Sequence, residues 1–206
     1  MRFFRPIINE PPRFSWLISL LLLLVWMAVA VAPVSAARQD RLKGAKDCSR
    51  RLYRSKKRIR YRDQWMSCIQ GYESYYRKYP KGRQADEALY ATAKLYKGLY
   101  GYSRLSSDLS EAINRFRQVV KRFPKSRFAD DAQYQLGEIY RRYKKDPERA
   151  YVEYFKVVMD FPHGDMKPRA QERLAQLESK TGKGRSKQEL PGLPKVPAVA
   201  STSLSR

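Results

Sequence analysis

Histidine is nearly absent: His163 is the one histidine among 206 residues, and it sits in a Pro162-His163-Gly164 turn. A hydrolytic zinc centre needs at least two His and a Glu around the metal, with a water activated on it, so none can be assembled. No Ser/His/Asp set forms around a lone turn histidine either. A Cys/His pair with Cys48 or Cys68 is open by composition, but nothing in the sequence positions it. Gly82, Gly98, Gly101 and Gly137 are scattered and make no phosphate-cradling loop. The chain is therefore expected to be non-catalytic, without cofactor or metal.

Acidic residues are also scarce, 20 Asp and Glu against 43 Lys and Arg, giving a formal net charge of +23. Charge of this size speaks to partners and solubility rather than to fold. Long apolar runs are absent except at the start. There Arg2, Arg5 and Arg13 precede an apolar stretch from Trp16 to Ala32 broken only by Ser19, and Val34-Ser35-Ala36 offers small residues before Ala37. Residues 1–36 read as a signal peptide cleaved after Ala36, or as a retained inner-membrane anchor, since the run is long for a signal and short for the roughly 20 residues of a spanning helix. Either way the rest is expected to be exported to the periplasm. Behind an export signal the polyanions to consider are lipid headgroups, lipopolysaccharide, cell-wall polymers such as peptidoglycan, and acidic proteins, rather than nucleic acid.

Cysteine is limited to Cys48 and Cys68. In an oxidising compartment two such residues on successive helices can bridge, provided their Cα atoms come within about 7 Å. A turn near 55–62 is read as lying at unequal distances from them. Lys46-Asp47 before Cys48 lacks the small apolar residues of a lipidation site.

What is present is a repeat. Ile69 to Pro80, Ile113 to Pro124 and Tyr151 to Pro162 each carry apolar or aromatic residues three and four apart and end in aromatic-Pro, and a small residue follows eight positions on: Ala88, Ala132, Ala170. The prolines are 44 and 38 residues apart, within the range of helical solenoids, whose units bury their apolar faces only by stacking. Residues 37–62 read as a basic helix to about Arg54 plus a basic connector, a tether able to lie near anionic lipid. Residues 63–179 read as the repeat domain, with helices at about 63–79, 84–100, 108–123, 128–143, 147–161 and 167–178. Asp108-Leu-Ser-Glu111 has capping-box spacing, and Asp146-Pro147 places an N-cap before Pro at the first helical position. Residues 180–206, with Pro191, Pro194 and Pro197, read as a disordered tail or linker.

Small residues at Ala88/Ala132/Ala170 and Ala93/Gly137/Ala175 mark close helix approach, while Leu95/Ile139/Leu177 and Tyr72/Phe116/Tyr154 fill between layers. Ala132, Gly137 and Tyr140, then Ala150, Tyr154 and Phe161-Pro162, resemble the tetratricopeptide pattern. Gln133 and Tyr134 stand where that pattern has tryptophan, and the spacing is longer, similar to the exported subgroup that includes the outer-membrane assembly lipoprotein and the Tol–Pal coordinator. Tyr61-Arg-Asp-Gln-Trp65, Ala88 to Tyr96, Tyr102 to Leu109 and Phe161 to Pro168 also look like the helical region before the catalytic domain of delta-proteobacterial N-acetylmuramoyl-L-alanine amidases. The expected fold is all-α, a tetratricopeptide-like right-handed solenoid of about three helix pairs. The resemblance implies a concave groove lined by first helices, with Glu87, Tyr90, Lys94 and Lys97 in one repeat and Asp131, Tyr134, Glu138, Arg141 and Arg142 in the next. Tyr beside Lys or Arg suits an extended peptide or an anionic polymer. The expected function is a protein-binding module of the cell envelope. The alternatives are the docking part of an amidase and an electrostatic binder of lipid or cell-wall anions.

Overall fold

The structure, a computed structural model, describes residues 42–182; the leader, its cleavage point after Ala36 and most of the expected tail lie outside them. Helix α1 is seen from 42 to 54. A 3₁₀ turn at Arg58–Arg60 leads into α2 (Arg62–Lys78), followed by α3 (Ala85–Ser103), α4 (Ser106–Arg122), α5 (Ala129–Ile139), α6 (Pro147–Asp160) and α7 (Lys167–Gly182). The described residues are thus all-helical, with consecutive helices packed on one another.

The repeat is visible atom by atom at the three aromatic-Pro turns. Tyr79, Phe123 and Phe161 end α2, α4 and α6 with nearly the same dihedrals, and their N–H groups donate to Tyr75, Val119 and Val157 carbonyls at 2.9, 2.9 and 3.2 Å. Gly82, Ser126 and Gly164 then donate back to those aromatic residues at 3.0, 2.9 and 3.0 Å. Proline cannot extend a helix and biases the residue before it away from helical dihedrals, so the stop is encoded locally.

Helices form because their apolar spacing gives each a burying face. On α4 that face is Leu109, Ala112, Ile113, Phe116 and Val119, the three-and-four pattern of an amphipathic helix. Ala88, Ala132 and Ala170 are fully buried where neighbours approach. Gly137 lies under the ring of Tyr154, only 2.5 Å from where a Cβ would stand, and Gly98 lies under Trp65 in the same way. One core cluster runs from Leu42 to Ile139, and a second joins Tyr134 and Tyr140 to α6 and α7.

Polar contacts separate two layers. Lys46 bridges Glu87 at 2.6 Å, Lys97 donates to Gln135, and Arg173 bridges Glu138 at 3.2 Å, tying α1 to α3, α3 to α5 and α5 to α7. On the other side Arg62–Asp108 and Arg115–Glu73, at 2.5 and 2.9 Å, tie α2 to α4. The array is therefore α1/α2, α3/α4 and α5/α6 pairs closed by α7.

Several expectations need correction. Helix α1 is no separate tether: Leu42, Ala45 and Leu52 are buried in the first core cluster with Trp65 and Ile69, so the array begins before residue 63. The turn after it centres near Arg58, ten residues from either cysteine rather than at unequal distances. That equal spacing lets the bridge left open between Cys48 and Cys68 form, with Cα atoms 5.4 Å apart. Asp108 does not cap α4, which starts two residues earlier with no side-chain cap; its buried carboxylate takes Arg62 and Ser103 instead. No loop spans 101–107, since α3 reaches Ser103 and α4 begins at Ser106. The fifth helix is not regular to 143 but passes into a π turn at Tyr140–Lys144. Ala175 is exposed, because α7 meets no pair partner among the described residues.

Candidate functional site

The odd-numbered helices present a groove of about 250 Å³ between α1, α3 and the turn before α5. Tyr90 forms its floor, stacked on Phe128 at 5.0 Å and edge-on to Phe116 at 5.8 Å. Burial pushes the Tyr90 hydroxyl well above the usual tyrosine range, with Asp131 and Asp130 adding to it, so the ring stays neutral. Two exposed cations stand over this aromatic floor. Lys94 Nζ is 5.6 Å from the Tyr90 ring and the Arg127 guanidinium is 4.7 Å from the Phe128 ring. Such cation–ring contacts hold a charge in place while its head faces water. At the rim Ser49 and Tyr72 share a hydrogen bond at 3.1 Å, and Tyr53 closes the α1 side. Rings with two positioned cations can take an extended segment bearing carboxylate and apolar side chains.

Glu138 organises a second centre on α5. Its nearly buried carboxylate receives Arg142 at 2.6 Å, Arg141 at 2.9 Å and Arg173 at 3.2 Å, and the Tyr154 hydroxyl donates to it at 2.6 Å. Burial works against the charge, but the hydrogen bonds from Arg141 and Tyr154 with the Arg141 and Arg142 charges hold its pKa down to about 2. Three guanidiniums on one carboxylate leave the cluster cationic. Lys97 lies alongside, half-buried on Gln135, and burial lowers its pKa. Beside Lys94, burial and the neighbouring Asp130 and Asp165 raise the Asp131 pKa.

The nine residues expected to line one open groove therefore divide. Tyr90 and Lys94 belong to the groove, and Glu87 is there but occupied by Lys46. Tyr134 and Glu138 are each 7 % exposed, and through Tyr154 and Arg173 they join α5 to α6 and α7 rather than face solvent. Arg142 remains exposed. Sequence reasoning missed Ser49, Tyr53, Tyr72, Arg127 and Phe128. The first two sit on the helix read as a tether, and Arg127-Phe128 follow a turn whose repetition was itself the available signal. A further groove of about 430 Å³ lies between α2 and α4, where Arg115 and Arg122 are engaged by Glu73 and Tyr76. Among the described residues no cluster of His, Cys, Asp or Glu is arranged to hold a metal ion, and no helix is long and apolar enough to cross a membrane.

Residues 60–143, from the start of α2 to the π turn, match the family described as YfiO, outer membrane lipoprotein. The groove floor at Tyr90, Lys94 and Phe128 falls inside that match, whereas α1, α6 and α7 lie outside it. No curated protein matches the chain. Cys48 is consumed in its bridge to Cys68, so it is not free to carry a lipid.

Proposed function

We propose that the protein is an exported, non-catalytic helical-repeat module that holds an extended, acid-bearing segment of an envelope protein in the groove of α1, α3 and the α4–α5 turn. The observation that carries this is the groove itself: ring surfaces of Tyr90 and Phe128, each with a solvent-facing cation over it. The similarity of residues 60–143 to an outer membrane lipoprotein family supports an envelope setting and a binding role. That similarity favours an assembly-type scaffold over the amidase-docking reading. The leader and the disulfide are both consistent with export.

The test is charge reversal. Lys94→Glu with Arg127→Glu changes two exposed positions, where each charge contributes about 0–1 kcal/mol to stability. Melting is expected to stay within a few degrees while capture of the envelope partner weakens, mainly through slower association at low salt. Lys97→Glu is a different experiment, because that side chain is half-buried beside Glu138 and its reversal is expected to destabilise the array. Unchanged capture after the Lys94/Arg127 reversal would rule the groove out as the docking site.

A further inference from the structure

Among the described residues five large apolar side chains are exposed, and four of them, Tyr53, Tyr61, Tyr102 and Leu105, gather at one edge. This is the edge where the chain turns within each pair, at 55–61, 104–105 and 140–146. The turns are contiguous. Trp65 joins the Tyr53 and Tyr102 rings at 5.5 and 5.7 Å, and Tyr100 meets Tyr143 at 5.1 Å. Exposed cations crowd the same turns: Lys56, Lys57, Arg58 and Arg60 in the first, Arg104 in the second, Lys144 and Lys145 in the third. Two nearby acids are occupied, Asp108 by Arg62 and Asp146 by the start of α6, leaving Asp63 and Glu148 as exposed opposition.

The backbone adds an independent observation. Arg104 and Lys145, which end α3 and the π turn, are the two non-glycine residues with positive φ among the described residues, at 55° and 52°. Glycine is the least costly residue in that conformation, yet both positions carry a cation. Local strain of this kind points to a use for the side chain.

We propose that this edge seats the protein on an anionic lipid surface, with the cations among the headgroups and Tyr53, Tyr61, Tyr102 and Leu105 in the interfacial zone. Amphipathic rings beside Lys and Arg are the composition of membrane–water interfaces. Tyr61, Tyr102, Leu105 and the turn cations line neither groove described above, so they offer a bilayer charge and ring edges rather than a slot for a peptide. The edge shares Tyr53 with the groove of Lys94 and Arg127, but its cations line neither groove, so its failure would leave the proposed function standing.

The test is amide exchange in the full chain mixed with vesicles of phosphatidylcholine, alone or with phosphatidylglycerol. The expected result is slowed exchange at 55–61, 103–106 and 140–146 on the anionic vesicles only, reversed by salt as the charges are screened. Replacing Arg104→Gly and Lys145→Gly removes two cations without demanding a new backbone. At about fivefold per cation near such a surface, the lipid needed for half-protection is expected to rise roughly 25-fold, with the melting temperature unchanged or higher. Lys56→Gln with Lys57→Gln repeats the comparison at exposed turn positions. Protection that is equal on both vesicles, or absent, overturns the proposal. So does unchanged lipid dependence in both variants, or protection of these turns by polyglutamate in place of vesicles, which would assign the edge to an acidic protein.

Discussion

Replacing Glu138 by Gln tests how the end of the array is held. Glu138 is 7 % exposed, and its carboxylate joins Arg141 and Arg142 of the π turn, Tyr154 of α6 and Arg173 of α7. Glutamine keeps the shape and can still accept from Tyr154, but it leaves three guanidiniums facing one another. Removing one partner of a fully buried pair costs about 3–5 kcal/mol. Arg142 is 57 % exposed while Arg141 and Arg173 are near a quarter exposed, so water returns part of that cost and roughly 2–3 kcal/mol is expected. For a fold whose whole stability is about 5–15 kcal/mol, this lowers the melting temperature by about 10 °C. The pH dependence sharpens the test. A carboxyl held near pKa 2 in the folded chain against an ordinary 4.5 contributes stability that is complete above about pH 5 and is lost as pH falls towards 2. Asp108, lowered by Arg62 against its burial, acts in the same direction, and Asp131, raised by burial, acts in the opposite one; both are present in wild type and variant and cancel in the difference. Urea and thermal unfolding of the full chain should therefore show a gap at pH 7 that narrows between pH 5 and pH 3. A gap under about 0.5 kcal/mol, or one that ignores pH, refutes the reasoning.

Other perturbations read other contacts. Gly137→Ala puts a Cβ 2.5 Å from the Tyr154 ring and should cost about 1–3 kcal/mol by overpacking, and Gly137→Leu more. Gly101→Ala, with nothing within 4 Å, should instead raise the unfolding midpoint slightly through helix propensity. Removing the Cys48–Cys68 bridge as a double Cys→Ala variant opens a 20-residue loop and should cost about 3 kcal/mol. Since Leu42, Ala45 and Leu52 are core residues, faster amide exchange is expected throughout α1 in that variant; loss confined to 55–61 would show that α1 docks by its apolar face alone.

Features set by local geometry were legible in the sequence. The aromatic-Pro stops at Tyr79, Phe123 and Phe161 depend on residues within four positions, and each turn closes as its spacing implied. The Asp146-Pro147 start of α6 is likewise local, with the Asp146 side chain accepting from the Arg149 N–H at 2.9 Å. Features decided by partners far along the chain were not legible. Asp108 has the spacing of a cap, but Arg62, 46 residues earlier, takes it. Tyr134 and Glu138 fall on a helix face that a lone pair leaves open, and Arg173 of α7 covers it. The apolar stripe of α1 is only a few residues wide, too thin to mark a core helix until Trp65 and Tyr72 are seen against it. One wall of the groove, Ser49 and Tyr53, comes from that helix, which is why these two were not read as groove residues while Tyr90 and Lys94 were.

In the proposed function, the groove of α1, α3 and the α4–α5 turn receives an envelope protein. Site-specific photocrosslinking in the source cell tests it most directly, with a photoreactive residue replacing Lys94 over the groove and, in a parallel strain, Met159, which is 53 % exposed on α6. One defined envelope protein is expected to crosslink at position 94, lost when Arg127→Glu is added, and none at 159. An empty lane at 94, or the same product from both positions, would contradict it.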